Sequence, residues 1–307
     1  MAKQKENGMA FEWAVAKAIS SETSFPILVD KFSEVPRICY QEKISERKRE
    51  VFDRAALAVV KHILVKEDVF TWDASISSIK FNSDSAGQSG DVRDLIIKGP
   101  VSSLGISCKA NHEALKHPRL SSRLDFIKKW GLSDNGCSPE YWNTIKPIFS
   151  ELSAIKKSSK GTATWEDLPD KAERFYWPIL DAWESEIKRT VANSTNAQAQ
   201  ICKNFITYLI GKHDFYKIIC RGSDRVDLQA FNFSGLLATR QTKFPTVINL
   251  INNKNGGIYS KTIVFNHGFS INFRIHSASS KVESSLKFDI NAIGLPTGDV
   301  YQQTFDL

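Results

Sequence analysis

Residues 87–113 read GQSGDVRDLIIKGPVSSLGISCKANHE. Asp94 opens a short apolar run. A Gly99-Pro100 turn follows, and a second run ends in Ser107-Cys108-Lys109. Side chains alternate faces along a strand, so Leu104, Ile106 and Cys108 point one way and Ser103, Gly105, Ser107 and Lys109 the other. A hairpin closed at Gly99-Pro100 is expected to set Asp94 beside Ser107 and Lys109. Gly105, lacking a side chain, leaves room on that face for a close approach. A carboxylate and a lysine so placed are what metal-assisted phosphodiester hydrolysis requires. The carboxylate holds Mg²⁺, which polarises the phosphate and lowers the pKa of a bound water. Mg²⁺ takes oxygen ligands and keeps several waters, so one or two carboxylates suffice. The lysine stabilises the charge that develops in the transition state. Such a layout usually has an acid where Ser107 stands. The candidates to replace it are Glu12, Glu113, Asp91 and Asp125.

Outward from this hairpin, residues 8–20 predict a helix with Phe11, Ala14, Val15 and Ala18 on one stripe. Glu12 borders that stripe, on a line with Val15, Ala16 and Ile19. Residues 43–66 predict a longer helix, charged and then apolar, and 75–83 a further strand. From 110 to about 212 the three-to-four spacing is helical, with Pro169 and Pro178 interrupting or kinking the middle helix. Beyond 214 the pattern turns to strands. A hairpin is expected around Gly222, and period-two alternation runs through FSINFRIHSAS and SLKFDINAIGLP. The fold class is α+β, a mixed sheet flanked by helices with a helical middle section and a β-rich C-terminal region. The expected division is a catalytic core with helical insertion over 1–212 and a β-rich region over 213–307 that contributes to recognition. No composition shift separates the two, so a single domain also fits.

The 307 residues carry 41 Lys+Arg against 34 Asp+Glu, a net charge of +7. A basic balance suits a polyanionic partner. The five cysteines form no Cys-x-x-Cys pair and are odd in number, which argues against paired-thiolate zinc and fits a reducing cytoplasm. The first residues hold no apolar signal-peptide core, and no apolar run approaches the length of a membrane span, so no membrane partner is expected.

GDVRDLII and GISCK resemble the core of the PD-(D/E)xK nucleases in its variant with serine at the acid position. GMAFEWAVAKAI resembles the first helix of that fold, where a glutamate reaches the same metal. More narrowly, SGDVRDLII, GISCKANHEALKHPRLS and FSINFRIHSASSKVESSLKFDINAIGLP resemble the HaeIII family of type II restriction endonucleases, with the middle helices weakest. That resemblance implies a restriction endonuclease of the prokaryotic cytoplasm that uses Mg²⁺ to cut double-stranded DNA within GGCC. It implies a cognate DNA methyltransferase as functional partner. A palindromic target favours a homodimer. Asp94, Glu12 and the backbone carbonyl of Cys108 would hold the metal, Lys109 would act on the water and phosphate, and Ser107 would hydrogen-bond within the site. Glu12 is preferred over Glu113, whose position in the first turn of a helix capped by Asn111 is already accounted for by the helix dipole. A partly buried carboxylate on an apolar border, by contrast, needs a partner.

Contacts to DNA are expected from Asn111, His112, Lys116, Arg119 and Arg123 after the catalytic strand, through phosphates and the N-terminus of that helix. On the strand at 269–276, Phe269, Ile271, Phe273 and Ile275 should face the core. Ser270, Asn272, Arg274 and His276 should face out, with Arg274 suited to a guanine edge. Arg221 and Arg225 on the turn at Gly222 are weaker candidates. Two other readings fit the same residues: a Holliday-junction or repair nuclease on this fold, and a DNA-binding protein with a dead nuclease site.

Overall fold

A computed structural model describes residues 2–83, 90–111, 114–193, 198–253, 260–277 and 279–307. The chain divides into two compact units and crosses between them after residues 113, 210, 243 and 296. The single change of character expected near residue 212 is therefore an interleaving. The strands at 215–231 return to the first unit, while the later strands join the middle helices.

The first unit opens with α1 (Ala2–Thr23), α2 (Lys31–Ile38) and α3 (Glu46–Lys66). Ser45 caps α3, its hydroxyl accepting from the Lys48 N–H. The strands are β1 (Ser78–Phe81), β2 (Leu95–Lys98), β3 (Ser103–Ala110), β5 (Phe215–Arg221), β6 (Arg225–Phe231) and β11 (Tyr301–Asp306); the intervening β4 belongs to the second unit. They form one sheet in the order β1-β2-β3-β5-β6-β11. All neighbours are antiparallel except β3 and β5, which run parallel. The expected hairpin at Gly99-Pro100 is present, as is the one at Gly222, whose φ of +66° suits a residue without Cβ.

The α1 stripe reads as expected. Phe11, Ala14, Val15 and Ala18, together with Ile19, are buried in one core with Val59 and Ile63 of α3 and with Leu104, Ile106 and Cys108 of β3. The helices thus cover the sheet face opposite to Ser107 and Lys109.

The second unit holds α4 (Phe126–Lys129), α5 (Pro139–Ser158), α6 (Trp177–Ala192) and α7 (Gln198–Ile210). Pro178 sits in the first turn of α6, where its missing N–H is harmless, behind a π-helical turn over Ala172–Tyr176. Pro169 lies before that turn and outside any helix. The strands are β4 (Arg119–Leu120), β7 (Ile248–Asn253), β8 (Ser260–Phe265), β9 (Ser270–His276) and β10 (Leu286–Gly294), an antiparallel sheet in the order β4-β10-β9-β8-β7. Its core is aromatic. Trp183 packs on Phe273 and Phe288 with ring centroids 4.6 and 5.5 Å apart, and Trp130 packs edge-on against Phe126. No helix among the described residues is long and apolar enough to cross a membrane.

Candidate active site

Three donors converge on one oxygen of Asp94. The Ser107 hydroxyl donates to Oδ2 at 3.0 Å, the Cys108 N–H at 2.6 Å, and the Lys109 ammonium lies 3.5 Å away. Asp94 itself sits one residue before β2. Its N–H donates to the Ile106 carbonyl and its carbonyl accepts from the Asn82 N–H, both at 2.8–2.9 Å. The Asp94 backbone is thus held on two sides. No described residue bonds its Oδ1, whose lone pairs are open to a cation. The N–H and C=O of one strand residue point to the same side, so the Cys108 carbonyl also turns toward Asp94.

Glu12 reaches this corner electrostatically from α1. Burial alone would lower the Lys109 pKa, but the charges of Asp94 and then Glu12 hold it above the ordinary lysine value. The same two carboxylates add to burial in pushing the Cys108 thiol well above its normal range, and the side chain lies in the core shared with α1. No group of three or more His, Cys, Asp or Glu side chains is placed to hold a metal among the described residues. An ion held at this corner by Asp94 and Glu12 would find few protein ligands and would retain much of its water.

Asp91 and Asp125 have different employment. Asp91 makes a two-pronged pair with Arg93, at 2.7 and 2.8 Å, and also accepts the Arg93 N–H. Arg93 uses the room at Gly105, where a Cβ would lie 2.1 Å from its Cδ. Asp125 caps α4, accepting from the Lys128 N–H, and bonds the Cys137 N–H as well. Glu113 and His112 lie outside the described residues.

One residue of the site escaped the sequence reading. Lys217 on β5 stands beside Ser107 in the parallel pairing, on the same sheet face, and is 5% exposed. Burial pushes its pKa down to about 7, with Lys109 adding to the effect and Asp94 opposing it. A lysine inside the apolar run FYKIIC was the available signal, but its neighbour was legible only once β3 and β5 were paired.

The DNA-contact candidates separate. Asn111 does not start a helix. It takes a left-handed φ of +54°, its Oδ1 accepts from the Gly222 N–H at 2.6 Å, and residues 114–120 are not helical, with a bridge from Lys116 to Ile290 and β4 at Arg119–Leu120. His117, which precedes Pro118, is disfavoured from helical backbone. Lys116 stacks 3.9 Å over the Tyr208 ring, Arg119 bonds Ser285 and Glu283, and Arg123 is exposed. Arg221 pairs with Asp227, and Arg225 is exposed.

On β9 the expected apolar positions are all buried, but Asn272 does not face solvent. β9 lies between β8 and β10, and the Asn272 amide is taken by Thr262 Oγ1 at 3.0 Å. Arg274 and His276 do reach the surface. Arg274 Nη2 donates to Asp289 of β10 at 3.1 Å, and the same carboxylate receives His117 Nδ1 at 2.7 Å and Lys287 Nζ at 3.2 Å.

With this geometry in place, comparison with known proteins decides the class. The family model for the HaeIII restriction endonuclease matches residues 8–296. The chain belongs to the HaeIII restriction endonuclease family. A type II restriction enzyme, HaeIII of Haemophilus aegyptius, is 31% identical over 98% of both chains. No solved structure matches. Of the three readings open to the sequence, the family decides for site-specific cleavage of DNA: the protein is a type II deoxyribonuclease.

Proposed function

We propose that this family member hydrolyses double-stranded DNA within GGCC with the help of Mg²⁺, on a PD-(D/E)xK core formed by β1–β3, β5 and α1. The convergence of Ser107, Cys108 and Lys109 on Asp94 Oδ2 carries this reading. Asp94 through its open Oδ1, Glu12 and the Cys108 carbonyl would hold the ion, which supplies charge neutralisation and an acidified water. Lys109 faces the scissile phosphate and stabilises the negative charge that builds on it. Ser107 cannot ligate as a carboxylate would. Its hydroxyl fixes the Asp94 rotamer, and Glu12 supplies the second acid from the helix side.

Lys116, Arg119 and Arg123 are assigned to phosphates, through side chains and not through a helix N-terminus. Arg274 and His276 are assigned to base edges from the five-stranded sheet. Asn272 supports that face from below, and Asn111 holds the turn at Gly222. The six-stranded unit would then cut, and of the strands after 213 those in the five-stranded sheet would contribute recognition. A homodimer acting on a palindrome, in a cytoplasm where a cognate methyltransferase protects host DNA, completes the proposal.

The test is cleavage of a plasmid bearing GGCC over a Mg²⁺ titration. Wild type should give discrete fragments only when the metal is present. Lys109→Ala and Glu12→Gln should each lose at least about 10²-fold in rate, the size of one lost transition-state stabiliser. Lys109→Ala should still bind the site within about tenfold. Cleavage by Lys109→Ala at near wild-type rate would overturn the assignment.

A further inference from the structure

Arg274 is a surface residue held from beneath. It lies directly opposite Asp289 in the β9–β10 register, the closest cross-strand relation a sheet offers. Its side chain is 43% exposed, whereas the Asp289 side chain is 9% exposed. The carboxylate is therefore inside, while the arginine side chain reaches the surface with its Nε still buried. Asp289 is itself immobilised by His117 from the segment before β4 and by Lys287 two residues earlier on β10. Lys287 in turn lies opposite His276 on one side and Arg119 on the other. One nearly buried acid thus sits at the centre of a basic surface on a rigid sheet.

Burying a carboxylate is unfavourable unless it is well paired. Replacing such clusters with apolar residues is often neutral for stability, so a stability argument does not account for this one. Its effect on Arg274 does. A free arginine samples many rotamers, and holding one amino group from behind removes part of that freedom before DNA arrives. An anion beneath the surface also opposes indiscriminate attraction to phosphates, the repulsive element that specific recognition uses.

We infer that Asp289 is a specificity-positioning residue: it never touches DNA, but fixes Arg274 for a base edge and weakens binding to non-cognate sequence. This rests on Arg274 reading a base, and the test separates the two claims.

Binding is measured without divalent metal to a duplex containing GGCC and to the same duplex with that site scrambled. Four proteins are compared: wild type, Arg274→Ala, Asp289→Asn and the double variant. A lost bidentate contact corresponds to about 5–150-fold. Arg274→Ala should lower the cognate-to-scrambled ratio within that range. Asp289→Asn should lower it comparably, while scrambled DNA binds as tightly as before or more so. The double variant should match Arg274→Ala within about twofold, because Asp289 acts through Arg274.

An unchanged ratio in Arg274→Ala overturns the base-reading role and this inference with it. A lowered ratio in Arg274→Ala with a multiplicative loss in the double variant overturns the Asp289 inference alone. So does an equal loss on both duplexes in Asp289→Asn, the pattern of general unfolding. Should Asp289→Asn not fold, Asp289→Glu keeps the charge and displaces the carboxyl, with the same expectation and the same overturning results.

Discussion

Gly105 shows how much one missing side chain does. It faces the same side as Ser107, and the absent Cβ is where Arg93 passes on its way to Asp91. Gly105→Ala would set a carbon 2.1 Å from Arg93 Cδ, and the Asp214 carbonyl, at 3.2 Å, closes the other side. Arg93 must then leave, breaking its pair with Asp91 just ahead of the candidate metal ligand. The expected loss is about 1–3 kcal/mol, the range for overpacking. Arg93→Ala in the same chain should recover part of it, since the clash disappears with the side chain. Urea unfolding of both single variants and the double variant checks this, and strictly additive losses would show that Arg93 is not what Gly105 accommodates. Close approach at Gly105 was legible in the sequence, because glycine within a strand signals it. The identity of the visitor was not, because that depends on a side chain crossing from another segment. Asp94, Ser107 and Lys109 were legible for the opposite reason: a single hairpin and strand alternation suffice to bring them together.

At the scale of elements, local pattern succeeded where one periodicity governed and failed where a distant partner set the backbone. Helix α1, strand β3 and the hairpin at Gly222 follow from apolar spacing and turn residues. The helix expected at Asn111 does not form, because Asn111 spends its side chain on the Gly222 N–H and enters the left-handed region. Asn272 is buried where neighbours on the flanking strands, Thr262 of β8 among them, close over it, and an alternating pattern does not say which residues flank it. The non-helical segment over 114–120 carries Lys116 onto Tyr208 of α7, where burial, with a smaller push from Lys129, lowers its pKa to about 8. The unfolded chain should hold that proton up to about 10.5. Between those values the unfolded state binds more protons, so stability rises with pH there. Below about 8 the penalty for the charged form is present in full. Lys116→Leu should therefore be more stable than wild type at pH 7, with the difference shrinking as pH rises from about 8 toward 10.5. Parallel denaturation series on the two proteins measure it, and a difference independent of pH would show that the ammonium is not penalised.

For the whole molecule, the Asp94–Lys109 corner occurs once per chain, while a cut through duplex DNA breaks two phosphodiesters on antiparallel strands. The two target bonds in a palindrome are related by a two-fold axis, so two copies of the chain related by the same axis would present one corner to each. A single chain would have to release one strand, turn over and bind again. The proposed dimer thus has a consequence that does not depend on seeing its interface. Wild type is mixed with excess Lys109→Ala, unfolded and refolded together so that chains exchange, and given supercoiled plasmid with one site. A mixed dimer holds one working corner, so nicked circles should accumulate at the expense of linear product. Their share should rise with the fraction of variant while wild type alone gives mainly linear DNA. If each chain cuts both strands in turn, the variant only dilutes the wild type, and the ratio of nicked to linear product stays that of wild type alone at every mixing fraction.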